Sequence, residues 1–257
     1  LEALVREKTE LQDHLSSLGL MIGSISHGIK GLLTGLDGGM YLLDSGFSKA
    51  DQDQIKEGRE VIKGMVERIR KLVLDILYYA KERDLSWERT DAFSFAEDVA
   101  RAVEPKIREH GIEFVRQFDS AVGEVEIDAG YVHSALMNIL ENAVDACVKD
   151  TMKTDHKIEF RVRQDREHIV FDVSDNGVGM DAAAAEKIFT PFFSTKGRKG
   201  TGLGLFISNK IIEQHGGEIL VKTFVNQGTL FSIKIPKIPP ESAKNRPENT
   251  PMVLEAG

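Results

Sequence analysis

The sequence predicts an α+β chain, a helical hairpin that pairs with a second copy into a dimeric four-helix bundle, followed by an α/β sandwich. Two observations carry this expectation. Leucine and isoleucine recur every seven residues up to about Leu85, and from about Ser86 that period gives way to amphipathic helical segments alternating with strand-like runs.

In chain order, Leu4, Leu11, Leu18, Ile25 and Leu32 form one heptad series, and Leu1, Leu15, Ile22, Ile29, Leu36 and Leu43 the complementary one, interrupted by Lys8. A break is expected at Asp44-Ser-Gly46, and Ser48-Lys-Ala-Asp51 reads as a capping box opening a second helix. That helix carries Ile55, Ile62, Ile69 and Ile76 with Met65, Leu72 and Tyr79. The short connection makes the two helices antiparallel, and apolar seams that a hairpin cannot cover by itself call for a homodimer.

The second domain is expected over residues 86–237. Helices are predicted near Phe95 to His110, Ala129 to Lys149 and Leu205 to His215, and strands at Ile112 to Phe118, Lys157 to Arg163, Ile169 to Val173, Glu218 to Phe224 and Thr229 to Ile235. Residues 238–257, rich in Pro, Glu, Ser and Asn, read as a disordered, solvated tail.

A length of 257 residues with 41% apolar content is enough for two small domains with real cores. The formal charge of -8 argues against nucleic-acid binding. The single cysteine, Cys147, excludes an internal disulfide or multi-cysteine metal site and points to a reducing, cytoplasmic setting. No apolar run is long enough to span a bilayer, so no membrane contact is expected within this stretch. The start at Leu1 reads as internal to a longer protein, with any sensor or membrane segment upstream.

Four stretches carry chemistry. Asp175-Asn-Gly-Val-Gly179 follows an apolar strand, so an acidic side chain is expected exposed at the strand end, with Gly177 and Gly179 permitting a sharp turn and close approach of a ligand. Gly200, Thr201, Gly202, Leu203 and Gly204 open an apolar helix, which aims backbone N–H groups and a helix N-terminus at an anion. No Gly-Lys-Ser/Thr follows, so this is not a P-loop. Asn138 and Asn142, four residues apart on a helix capped by Asp128, share one face, and an amide oxygen suits Mg²⁺ without adding charge beside a phosphate. Phe189 to Lys196 adds an aromatic box, followed by the basic segment Lys196-Gly-Arg-Lys199, which could close as a lid. Upstream, heptad phasing puts His27 at the f position, exposed and able to offer a neutral imidazole nitrogen.

Together these boxes resemble the catalytic core of sensor histidine kinases of two-component systems, whose ATP domain is of the Bergerat type shared with the gyrase, Hsp90 and mismatch-repair ATPases. The resemblance implies that Asp175 binds the adenine amino group, with Thr229 nearby. It makes Asn142 the Mg²⁺ ligand, and has Lys196 reach the β- or γ-phosphate. His27 would accept phosphate from ATP and pass it to an aspartate of a response-regulator receiver domain docked on the hairpin. In the related ATPases a glutamate sits at the position of Asn138 and activates water; an amide cannot take that proton, so hydrolysis is disfavoured. Glu141, turned roughly 100° from Asn142, is a poor substitute. The histidine box departs from the family pattern, with Gly28 in place of an acidic residue and Gly31 in place of a polar one. That departure keeps a degenerate ATP-binding signalling module as the alternative, with a gyrase- or Hsp90-type ATPase behind it.

Overall fold

The computed structural model of the chain describes residues 28–80, 85–195 and 200–241. These group into two compact units, one formed by the hairpin with residues 187–195 and 200–207, the other by residues 85–186 with 208–241. The heptad positions before Gly28, His27 among them, lie outside the described residues, as do Lys196 and residues 242–257.

The hairpin pairs helix α1 (residues 28–49) with α2 (Gln52–Ala80). Glycine sets how closely they approach. A Cβ on Gly39 would sit 2.7 Å from Ile62 Cγ1 and 3.2 Å from the Ile62 nitrogen, and one on Gly58 would sit 2.8 Å from the Leu43 nitrogen. Gly35 faces Met65 in the same way, whereas Gly28, Gly31 and Gly38 face open space. Gly35 and Gly39 therefore sit in the contact between the two helices, and Gly31 does not.

The expected break at Asp44 to Gly46 does not occur. The helix continues to residue 49 and ends in a Schellman motif, in which Asp51 N–H donates to the Gly46 carbonyl at 2.8 Å and Ala50 N–H to that of Phe47 at 3.3 Å. Ala50 takes the left-handed position, φ +54, that glycine usually fills. The capping box is also displaced. Ser48 Oγ bonds back to the Asp44 carbonyl, and Asp51 caps α2 by accepting from the N–H groups of Asp53 and Gln54, each at 3.1 Å.

In the second unit β1 (Glu88–Asp91) leads into α3 (Ala92–Glu109), β2 (Glu113–Phe118), β3 (Glu124–Ile127) and α4 (Ala129–Lys149). Then come β4 (Lys157–Asp165), β5 (His168–Asp175) and the short α5 (Ala182–Ala185). Helix α6 (Gly204–Gln214) carries the chain back from the other unit to β6 (Glu218–Phe224) and β7 (Gly228–Pro236).

Strands β2-β4-β5-β7-β6 form one sheet, parallel between β2 and β4 and antiparallel elsewhere, while β1 and β3 form a separate antiparallel pair. That pair was not expected, because four-residue strands rich in Glu and Asp carry no strand signal of their own.

Helix α4 buries Val132, Leu136, Ile139, Leu140 and Val144 at helical spacing, and α3 contributes Phe95, Val99, Val103 and Ile107. The sheet supplies Phe160, Phe171, Ile158, Ile169 and Ile233. Burial of each such side chain stabilises by about 1.5–3 kcal/mol, which holds the strand ends firmly enough to support a site. Past β7 the chain stays packed for a few residues: Pro239 is buried and Pro240 lies over Gly216, so the expected disordered tail does not begin at residue 238.

Candidate nucleotide site

The β5 to β7 register places Asp175 opposite Thr229, at the end of the sheet where β5 leaves it. Only 7% of Asp175 is exposed. The sequence reading had it exposed at a strand end; instead the turn that follows folds back over it. Gly177 N–H donates to Asp175 Oδ1 at 2.9 Å, and a Cβ on Gly177 would lie 2.5 Å from the Ala146 backbone, so this turn sits flush against α4.

Gly179 (φ +60) and Gly228 (φ +107) make the corresponding close approaches, Gly179 to the Phe224 backbone and Gly228 to that of Asp175. Burial pushes the Asp175 carboxyl up to about 6, against the backbone donors at Gly177 and Thr229 and the charge of Lys153. The outcome is a recessed acceptor beside bare backbone. That geometry suits a flat heterocycle with an amino group.

Thr229 is buried and its hydroxyl lies 3.1 Å from that of Thr223, which in turn accepts from Met180 N–H at 2.9 Å. Thr223 was missed from sequence, although the β6–β7 register that pairs it with Thr229 makes it the natural neighbour. Lys153, in a polar loop, gave no signal. Cys147 is buried on α4, and burial pushes its thiol up to about 12, leaving it unreactive.

On α4, Asp128 accepts from Tyr131 N–H at 3.1 Å and is the expected cap; its own N–H donates to Nε2 of buried His215 at 3.0 Å. Asn138 and Asn142 are half-buried. The Asn138 amide donates to Ser208 Oγ on α6 at 3.1 Å, so it joins two helices. Glu141 pairs with Lys106 of α3 at 3.5 Å, which draws it away as a water-activating base.

Among the described residues no cluster of three or more His, Cys, Asp or Glu could cage a metal. A single Asn oxygen together with phosphate oxygens is the arrangement Mg²⁺ accepts, so the residues present fit that ion.

Gly200 to Gly204 fall in the unit that includes the hairpin, and Asn138, Asn142, Asp175, Gly177, Gly179 and Thr229 in the other. Within the first, Gly202 (φ +67) lies against Phe192, whose N–H donates to the Gly202 carbonyl at 2.8 Å. Phe192 of the aromatic box thus supports the glycine loop. Leu203 is buried and its carbonyl accepts the first helical bond, from Ile207 N–H at 2.8 Å.

A sheet with helices on one face, an Asp-x-Gly-x-Gly turn at the end of a central strand and an Asn pair on the neighbouring helix together define an ATP-domain class. Residues 127–239 match the family model described as histidine kinase-, DNA gyrase B- and HSP90-like ATPase. The catalytic domain of the histidine kinase ThkA superposes with a TM-score of 0.53 at 31% identity, covering 60% of this chain and all of that one. ThkA solved with its response regulator TrrA gives 0.72 at 29% identity, over 89% of this chain and 64% of that one.

Among curated relatives, the signal transduction histidine-protein kinase AtoS of Escherichia coli strain K12 is 28% identical over 87% of this chain and 36% of its own length. The chain belongs to the sensor histidine kinase family. It spans between about a quarter and a half of the length of the curated relatives it matches.

Proposed function

We propose that this chain is the core of a protein-histidine kinase that uses Mg-ATP to phosphorylate His27 and then transfers the phosphoryl group to an aspartate on a response-regulator receiver domain. The observation that carries the ATP reading is the buried Asp175 carboxylate framed by Gly177, Gly179 and Gly228 beside Thr229. Asp175 and Thr229 hold the adenine, and Asn142 holds Mg²⁺ with Asn138 beside it. Gly200, Thr201, Gly202, Leu203 and Gly204 receive the phosphates, and Lys196 neutralises them from the lid. The metal's contribution is to screen charge on the phosphates, while the chain positions them and keeps activated water away.

Two features favour phosphoryl transfer over hydrolysis: Asn138 cannot act as a base and is engaged by Ser208, and Glu141 is held by Lys106. A homodimer in the cytoplasm completes the reading. Its support is an exposed apolar stripe, with Ile29, Leu33, Met40 and Phe47 on α1 and Val66 and Val73 on α2. No described helix is long and apolar enough to cross a membrane. The domain limits are proposed as 1–85 and 86–237.

Incubation with γ-labelled ATP tests the proposal. Wild type acquires acid-labile label that moves to a receiver domain, and His27→Gln binds nucleotide but stays unlabelled. Steady phosphate release without labelled protein would support an ATPase instead. The degenerate-module reading is favoured by Gly28 and Gly31, which put no assisting side chain at these two positions after His27, and it is supported if nucleotide binds but no label appears.

A further inference from the structure

We propose that Lys153 is a positioning residue for the adenine end of the site, its ammonium tying the turn after β5 to the tip of the β6–β7 hairpin and so fixing the frame around Asp175. This rests on the reading of Asp175 as the contact to the base. Lys153 Nζ donates to the Asn176 carbonyl at 2.7 Å and to the Asn226 carbonyl at 2.8 Å, and lies 3.6 Å from Asp150 Oδ2. Two of the ammonium's donors are met by carbonyls, and the Asp150 carboxylate adds opposite charge beside it.

The two carbonyls belong to segments far apart in sequence, and both oxygens converge on one point. Without a cation between them they repel. The rest of the corner is built to the same end. Asn226 (φ +61) donates its N–H to the Val178 carbonyl at 2.8 Å. The Asn176 side chain accepts from Lys157 N–H and donates to the Asp155 carbonyl, each at 2.8 Å. Asp175 lies one residue before Asn176, and its cross-strand partner Thr229 three residues after Asn226, so any slackening at Lys153 moves both sides of the adenine contact.

Lys153 also acts through charge. Its ammonium opposes the burial that raises the Asp175 carboxyl, and favours the ionised form that accepts most strongly from an amino group. The other groups facing Asp175 are the backbone N–H groups of Gly177 and Thr229 and the Cys147 thiol; Asp150 flanks Lys153, and the Asp150 carbonyl lies 3.0 Å from His156 Nε2.

The test is titration of the 257-residue chain with Mg-ADP between pH 5 and 8, comparing Lys153→Met, Lys153→Arg and Asp150→Asn with wild type in a His156→Gln background. The nucleotide's own titration is common to all and cancels. Lys153→Met is expected to bind about tenfold more weakly at pH 7.5 and to lose binding at a pH about half a unit higher than wild type. Lys153→Arg should recover most of the affinity, and Asp150→Asn should move the midpoint down.

Wild-type affinity and midpoint in Lys153→Met would overturn the proposal. So would a loss equal at every pH, which is what mere destabilisation gives. Should Lys153→Met fail to fold, an unmoved or upward midpoint in Asp150→Asn rejects it as well. Failure of the wild type itself to bind Mg-ADP would instead sink the nucleotide reading.

Discussion

Asp175 shows how a single residue can be set against stability for the sake of a site. Its carboxyl titrates at about 6 in the fold against an ordinary 3.8, because burial disfavours the charged form. The folded state therefore takes up the proton first as pH falls. Its contribution to stability is fully present below 3.8 and is lost as pH rises through about 6. Asp175→Asn, which keeps an oxygen for Gly177 N–H, is expected to raise unfolding stability by about 2 kcal/mol at pH 7.5. The gain should fade toward pH 4, while ADP affinity drops at every pH. Denaturant melts at the two pH values check this, and a gain that does not depend on pH would show that ionisation of Asp175 is not its source.

At the scale of elements, the hairpin's glycines divide by what each would meet. Gly39→Ala forces a methyl against Ile62 and should cost about 1–3 kcal/mol through overpacking. Gly38→Ala, one residue away and facing open space, should stabilise by about 0.5–1 kcal/mol through helix propensity. Ala50→Gly relieves a left-handed alanine and should stabilise as well, by up to about 1 kcal/mol. Urea unfolding of the three variants reads all of these, and similar effects from Gly38→Ala and Gly39→Ala would mean that the helices do not meet at Gly39.

At the scale of the whole molecule, the proposed phosphoryl transfer to His27 sets what is expected of the two glycines that follow it in the sequence. Gly28 offers no carboxylate to take the imidazole proton, and Gly31, the fourth residue after His27 in the sequence, offers no group to orient water; neither is crowded, so both accept larger side chains. Gly28→Glu is expected to raise the autophosphorylation rate about tenfold, and Gly31→Thr to raise regulator dephosphorylation by a similar factor. Alanine at each position controls for helix stiffening. Equal gains from alanine would assign the effect to rigidity and not to restored side chains.

Much of this molecule was legible in its sequence, and for a reason that particular residues display. The heptads of the hairpin, the amphipathic spacing of α4 and the alternation of β5 and β7 are local periodicities, and the asparagine and glycine boxes sit at fixed offsets from those elements. The longer helices and strands follow from chemistry within one segment, whereas β1 and β3 do not. What the sequence did not disclose depends on partners remote in the chain. The burial of Asp175 follows from Gly177 packing on Ala146, the Lys153 bridge joins Asn176 to Asn226, and Asn138 finds Ser208 on a helix that comes much later. The displaced turn at Ala50 belongs to the same group, because Gly46 had to serve contact with Ile55 instead of ending the helix. Local pattern selects the elements and the reactive groups. Only packing across the fold decides which backbones approach without a Cβ between them and which charges lose their water, and those two facts set the shape and the electrostatics of the site.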